Sequence, residues 1–204
     1  QLEVPIITGC EASPSWIQEK RPDVVIVATG SKPIKRPVSG DYGPPLVQNV
    51  WDVMEESYPV GHKVLFIDEN GGHHATATVE RLSDQGKKVD MVTSDLFIGI
   101  ELGHIGDLYL TRQRLLQKGV TFTTDVVVDE IHGNRVKARN IYTNLPIIFE
   151  NYDTIVLDMG NIADDSLYCQ LKGRVKEVYR VGDSVAPRSI GMAIYEGQKA
   201  GERL

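Results

Sequence analysis

The stretch VLFIDENGGHHATATVERL, residues 64–82, decides how the rest of the chain is read. An apolar run from Val64 to Ile67 enters a tight polar turn, and Ala75, Val79 and Leu82 then recur at the spacing of one helical face. Gly86 is placed as a helix stop, and a second apolar run, VDMVT, comes after it. Strand, helix and strand within about thirty residues predict a right-handed β-α-β crossover. In dinucleotide-binding folds the turn of that unit carries G-x-G-x-x-G. Here, with Gly86 as a ruler, Asn70 falls at the first glycine, Gly72 at the second and Ala75 at the third. Asn tolerates the left-handed conformation, so the turn can still form, and Ala is accepted at the third position. Gly72 and Ala75 let strand and helix pack closely. Asp68 and Glu69, however, bring negative charge to the helix N-terminus where phosphate would sit. An acid that grips the ribose belongs about twenty residues on, and that position is Thr93, followed by Ser94. The turn is expected to keep its shape as a scaffold and to hold neither NAD nor NADP, with Gly72 its one retained cofactor-binding candidate.

Working outward, RPDVVIVATGSKP carries Asp23 and a continuous apolar run from Val24 to Ala28, the pattern of a parallel strand covered on both faces. Thr29 and Gly30 break it, and Pro33 and Pro37 hold the chain extended beyond the break. Residues 38–50, rich in Gly and Pro, read as a linker, and WDVMEE as a short helix. Beyond the central unit, GDLYLTRQRLLQKGV predicts a helix ending at Gly119. VTFTTDVVVDEIHGNRVKARNIY alternates, predicting strands joined by a tight turn at His132-Gly133-Asn134. NYDTIVLDMG is a second buried-strand pattern, and it echoes PDVVIVATG: in each a Gly stands seven residues after an Asp. GRVKEVYRVGDSVAPRSIGMAIYEGQKAGERL places a strand over Val178 to Val181 before Gly182-Asp183, and a helix from about Ser189.

The 204 residues are enough for one large or two small domains, and 41% hydrophobic with 25% charged residues is ordinary for a globular protein. A net charge of -6 with no basic run argues against nucleic acid as a partner. No apolar run reaches the length that spans a bilayer, and no signal peptide is recognised, so no membrane partner and a cytoplasmic location are expected. Cys10 and Cys169 form no C-x-x-C and read as two reduced thiols. A start at Gln1 and a helix-like end read as a piece of a longer polypeptide, or as a trimmed chain.

DVVIVATGSKP, the β-α-β unit at 63–93, DTIVLDMG and VYRVGDSVAP, in this order, resemble the flavin- and pyridine-nucleotide-dependent disulfide-reductase-like fold. Within it, the glycine-poor turn and the tail YRVGDSVAPRSIGMAIYEGQKAGERL are similar to the C-terminal region of the old-yellow-enzyme-like iron-sulfur flavoproteins. That group includes trimethylamine, dimethylamine and histamine dehydrogenases and dienoyl-CoA reductase. The resemblance implies an α/β, Rossmann-like three-layer fold in which one discontinuous FAD/ADP-binding-like unit (1–58 and 161–204) lacks its first β-α-β and an NAD(P)-binding-like unit (59–160) is inserted. It implies a parent with FMN and a 4Fe-4S cluster in an N-terminal barrel that this sequence does not include, an electron-acceptor flavoprotein as partner, and a homo-oligomer.

Under the same resemblance Gly182 and Asp183 lie near the ribityl or pyrophosphate part of a nucleotide, ADP or FAD in the parent, and Ala28, Thr29 and Gly30 flank it through backbone atoms. Read without it, Asp183 caps a turn and Gly30 ends a strand. His73 and His74 are read as solvated first-turn residues. His104, beside Glu101 and Asp107, lacks standard metal-ligand spacing. No catalytic residue or metal ligand is expected, and no cofactor held tightly by this chain. Two functions remain open: an oxidoreductase's nucleotide-binding region, inactive alone, or a non-catalytic module that docks an electron-transfer partner.

Overall fold

The computed structural model describes residues 4–34 and 38–203; Pro37, expected to extend the chain, lies outside them, as do both chain ends, Gln1 and Leu204. In chain order the elements are α1 (Pro14–Lys20), β1 (Val24–Val27), β2 (Ser31–Pro33), β3 (Val47–Asn49), α2 (Val50–Met54), β4 (Lys63–Asp68), α3 (His73–Asp84) and β5 (Lys88–Thr93). Next come a 3-10 segment (Ile100–Ile105), α4 (Leu108–Gln117), β6 (Thr121–Thr123), β7 (Val126–His132), β8 (Arg135–Asn140), β9 (Pro146–Phe149) and β10 (Thr154–Asp158). The chain ends with β11 (Asn161–Ala163), α5 (Ser166–Leu171), β12 (Glu177–Arg180), a 3-10 turn (Gly182–Ser184) and α6 (Ile190–Gly201). Two compact units result: residues 1–32 with 161–204, and residues 33–160.

The 33–160 unit is built on a five-stranded sheet in the order β3-β10-β4-β5-β6, parallel throughout. Its strands alternate between two cores. Val64 and Phe66 of β4, with Met91 and Val156, pack on Ala75, Val79 and Leu82 of α3, Leu115 of α4 and Val50 and Val53 of α2. Leu65 and Ile67, with Val92 and Ile155, pack on Val126, Val128, Ile131, Val136 and Ala138 of the antiparallel meander β7-β8-β9. Helices, parallel sheet and meander therefore form three layers, which is why the strands of this sheet read as continuous apolar runs. The expected α/β, Rossmann-like architecture is present. The meander turns at Gly133-Asn134, with Gly133 at φ 54.

Residues 33–58 belong to this unit, whereas the sequence reading assigned them to the other. Residues 47–49, read as part of a linker, form the edge strand β3 against β10, with Val47 and Val50 buried. Proline and glycine upstream of that strand hid three residues of sheet.

In the other unit β1 and β12 form a two-stranded parallel sheet, and β2 pairs with β11. Ile17 of α1, Val27 and Leu171 of α5 make its core, joined by Trp16, Val25, Leu167 and Val178. The expectation that the Val24 run is covered on both faces fails: Ile26 on the opposite face is 40% exposed. Among the described residues β1 pairs with β12 alone. The helix α1, unread in the sequence, starts at Ser13, whose side chain accepts the N–H of Trp16, with Pro14 in the first turn.

Candidate functional site

In a parallel sheet, ligands collect beyond the carboxyl ends of the strands where the strand order reverses. In the 33–160 unit that point lies between β4 and β10. There Asp68 and Asp158 end neighbouring strands in register, and Thr93 stands opposite Asp68 on β5. All three are buried. By the pleat they share the sheet face of Phe66, Val156 and Met91, the face that packs on helices.

Asp68 Oδ1 accepts the N–H of Asn70 at 3.0 Å and of Gly71 at 2.8 Å, and Oδ2 has no hydrogen-bond partner. Burial pushes its carboxyl up to about 7, opposed by the Gly71 and Asn70 N–H groups and aided by the nearby Asp158 and Asp95 carboxylates. Asp158 accepts the N–H of Gly160 at 3.2 Å and the Asn70 side-chain amide at 3.4 Å. Its pKa is also raised, by burial, which outweighs those hydrogen bonds and the His74 charge. So Asp68 does not present its charge at the outside of the helix start, as the sequence suggested. It sits inside the turn.

Two further details differ from expectation. The left-handed residue is Gly71, at φ 66, and Asn70 is not among the positive-φ residues. Gly72 adopts φ -110, and a Cβ there would meet nothing closer than Asn70 Nδ2 at 3.8 Å, so packing does not demand glycine at that position. His73 and His74 are exposed, and His73 Nε2 lies 3.3 Å from Asp107 Oδ2. His104 is exposed, and the described residues gather no group of three or more His, Cys, Asp or Glu able to hold a metal ion. Asp95, two residues past the position searched for a ribose-binding acid, approaches the turn: its Oδ2 would lie 3.5 Å from a Cβ on Gly71. Asp158 was overlooked too, although TIVLD ends, like VLFID, on an Asp after a buried run.

The unit of residues 1–32 and 161–204 brings its sequence-selected residues together. Val181 N–H donates to Val27 O at 3.0 Å, and the buried Ser184 hydroxyl lies 3.1 Å from Val27 O and 2.8 Å from Val181 O. These bonds hold the ends of β1 and β12 side by side, so Ala28, Thr29 and Gly30 stand next to Gly182-Asp183. Gly182 is buried at φ 65, and a Cβ there would press Ala193 Cβ at 3.3 Å, so α6 packs onto it. Its N–H donates to Glu196 at 2.8 Å, and the paired Arg188 with that N–H holds the Glu196 carboxyl below its usual range. Asp183 takes the Ser31 hydroxyl on Oδ2 and the Arg188 N–H on Oδ1, both at 3.3 Å. Ala28 and Thr29 are exposed, and a Cβ on Gly30 would meet nothing within 4 Å, while Thr29 Oγ1 donates to Asp164 O and Gly30 O accepts the Asp164 N–H at 3.0 Å.

No protein-family model matches the chain. Among curated proteins it is 26% identical to an N,N-dimethylglycine/sarcosine dehydrogenase of Chromohalobacter salexigens, over 96% of this chain and 34% of that protein. It is 29% identical to a probable N-methylproline demethylase of Rhizobium meliloti, over 88% and 30% respectively. Among solved structures it superposes on histamine dehydrogenase from Rhizobium sp. 4-9 with a TM-score of 0.87 at 22% identity, covering 96% of this chain and 32% of that one. A 2-naphthoyl-CoA reductase gives 0.84 at 29% identity, with 95% and 29% covered. Thioredoxin reductase of T. acidophilum gives 0.66 at 19% identity, with 87% and 63% covered. The chain spans about a third of the length of the curated relatives it matches. Over that third it is homologous to flavoprotein dehydrogenases and reductases, and it shares its fold with thioredoxin reductase.

Proposed function

We propose that this chain is the nucleotide-binding-like region of a flavin-dependent amine dehydrogenase or reductase, inactive by itself. Residues 1–32 with 161–204 form its FAD/ADP-binding-like unit, without a first β-α-β, and residues 33–160 form an NAD(P)-like unit kept as scaffold. The parent oxidises an amine, or passes hydride between a nicotinamide and its substrate, with FMN and the iron-sulfur cluster carried outside this stretch. Cys10 and Cys169 are far too few for a four-cysteine cluster.

The observation that carries the reading is the exposed strand end at Ala28 and Thr29, followed by Gly30, held beside Gly182-Asp183. Exposed backbone there gives hydrogen bonds to a nucleotide, and Asp183 gives an acceptor for a sugar hydroxyl. Calorimetric titration with ADP and FAD tests it. Weak binding, near about 1 mM, is expected, because a β-α-β unit with its own helix N-terminus would supply most phosphate contacts. Asp183→Ala should weaken it further. No heat with either ligand, or an affinity indifferent to Asp183→Ala, would count against the assignment.

A docking module is the second reading, and α6 favours it: Ile190, Ile194 and Tyr195 are exposed on one apolar helix. Such a module need bind neither ligand.

A further inference from the structure

The turn after β4 commits three consecutive amides, those of Glu69, Asn70 and Gly71, inside the chain. Glu69 N–H donates to Asp158 O at 2.8 Å, and Asn70 and Gly71 N–H both donate to Asp68 Oδ1. Each amide has one hydrogen, so three consecutive donors are committed within the chain. These are the groups that a turn between a parallel strand and its helix normally turns towards an anion.

The outer side of the turn is covered as well. Glu101 N–H donates to Gly71 O at 3.1 Å, and a Cβ on Gly71 would come within 2.7 Å of Ile100 Cγ2. His73 on the first turn of α3 meets Asp107. The 3-10 segment therefore lies against the turn, bounded by Gly99 at φ 79 and Gly106 at φ 81.

We propose that Asp68 is the residue that excludes a dinucleotide from the 33–160 unit: its buried carboxyl group occupies the Asn70 and Gly71 amides, two of the turn donors on which a pyrophosphate would otherwise rest. The missing first glycine is secondary, because Gly71 already supplies the left-handed residue that shapes the turn. Repulsion acts in the same direction. A pyrophosphate brought to this turn meets Asp68, Asp158 and Asp95, with Glu69 on the turn and His73 and His74 facing it from α3. The inference rests on the reading of this unit as scaffold and is independent of the nucleotide assigned to the other.

NADPH and inorganic pyrophosphate are titrated into the unchanged chain, Asp68→Asn and Asp68→Ala at pH 8, with circular dichroism to establish that each is folded. The unchanged chain should show no heat up to about 1 mM, and Asp68→Asn, which keeps an acceptor on the amides, should gain little. Asp68→Ala frees both amides and should bind pyrophosphate at least about tenfold more tightly than the unchanged chain. Asp68→Ala no better than the unchanged chain overturns the role of Asp68 while leaving the scaffold reading standing. Binding of NADPH to the unchanged chain below about 10 μM overturns both. Should Asp68→Ala fail to fold, NMR decides. The Asn70 and Gly71 amide protons should shift together with one midpoint near neutral pH in the unchanged chain and stay still in Asp68→Asn. Amides that ignore the Asp68 titration overturn the proposal.

Discussion

PDVVIVATG and YDTIVLDMG are nearly the same strand placed in two different surroundings. In the second, β10 has β3 on one side and β4 on the other, and Val156 at its centre is wholly buried. In the first, the described residues pair β1 with β12 alone, and Ile26, the residue matching Val156, is 40% exposed. The glycines that end them, Gly160 and Gly30, share a positive φ of 75 and 79. A Cβ on Gly160 would meet the Asn70 side chain at 3.5 Å, whereas one on Gly30 would meet nothing within 4 Å. So what occupies the space beyond β10 is the strand-turn-helix of β4 and α3. Beyond β1, Thr29 Oγ1 and Gly30 O bond to Asp164 instead. The comparison teaches that a strand's apolar run states what it is able to bury, while its neighbours decide what it does bury.

Replacing a large buried residue tests this difference at its greatest. Phe66→Ala should destabilise the 33–160 unit by about 3–5 kcal/mol, because the side chain is fully enclosed between β4, α3 and α2. Ile26→Ala should change the other unit by no more than about 0.5 kcal/mol. Urea unfolding followed by amide exchange in each unit measures both, and equal losses would break the contrast between the two strands.

Asp68 comes next. Its folded-state carboxyl titrates near 7 against an ordinary 3.8, so between those values the folded chain keeps a proton that the unfolded chain has released. The stability linked to this group is fully present below about pH 4, falls as pH rises towards about 7, and is flat above that. Asp68→Asn removes that loss. At pH 8 the variant unit should be about 2–4 kcal/mol more stable than the unchanged one, and at pH 4 the two should agree. Urea midpoints across that range provide the check, and a gap that grows on acidification would refute the buried-acid account.

A smaller effect belongs to the other unit. Ser184→Ala strips the buried hydroxyl that lies between Val27 O and Val181 O, and about 1–2 kcal/mol should be lost there. Faster exchange of the Val181 amide should accompany it. The smallest effect is expected on α6, where Ile194→Ser leaves an already exposed position and should shift stability by less than about 0.5 kcal/mol in this chain. A loss of several kcal/mol would mean that α6 is covered, for instance by a second copy.

Much of this was legible in the residues. Ala75, Val79 and Leu82 announced the buried face of α3, and Gly133-Asn134 announced its hairpin, because helical and strand periods are local properties. Gly182 and Asp183 were singled out, and they do stand beside the end of β1. Less visible was Val47–Asn49, three residues of edge strand after a run of proline and glycine. The acids around the turn were misjudged for a different reason. The sequence places the Asp68 charge at the helix start but not inside the turn, because spacing gives a residue's position along the chain and not the direction of its carboxyl, and Asp95 falls outside the ruler laid from the glycines.

By itself the sequence determined the β-α-β unit and the repeat of one strand pattern in two places, both from apolar spacing and the turn residues between elements, while the three-layer α/β class came with the family resemblance. Only the tertiary structure decided that residues 33–58 join the second unit, that Gly71 and not Asn70 bears the left-handed turn, and that Asp68 lies within it. Those outcomes depend on β10, on Asp158 and on Ile100, groups distant in sequence from the segments they act on, and burial is set by such neighbours.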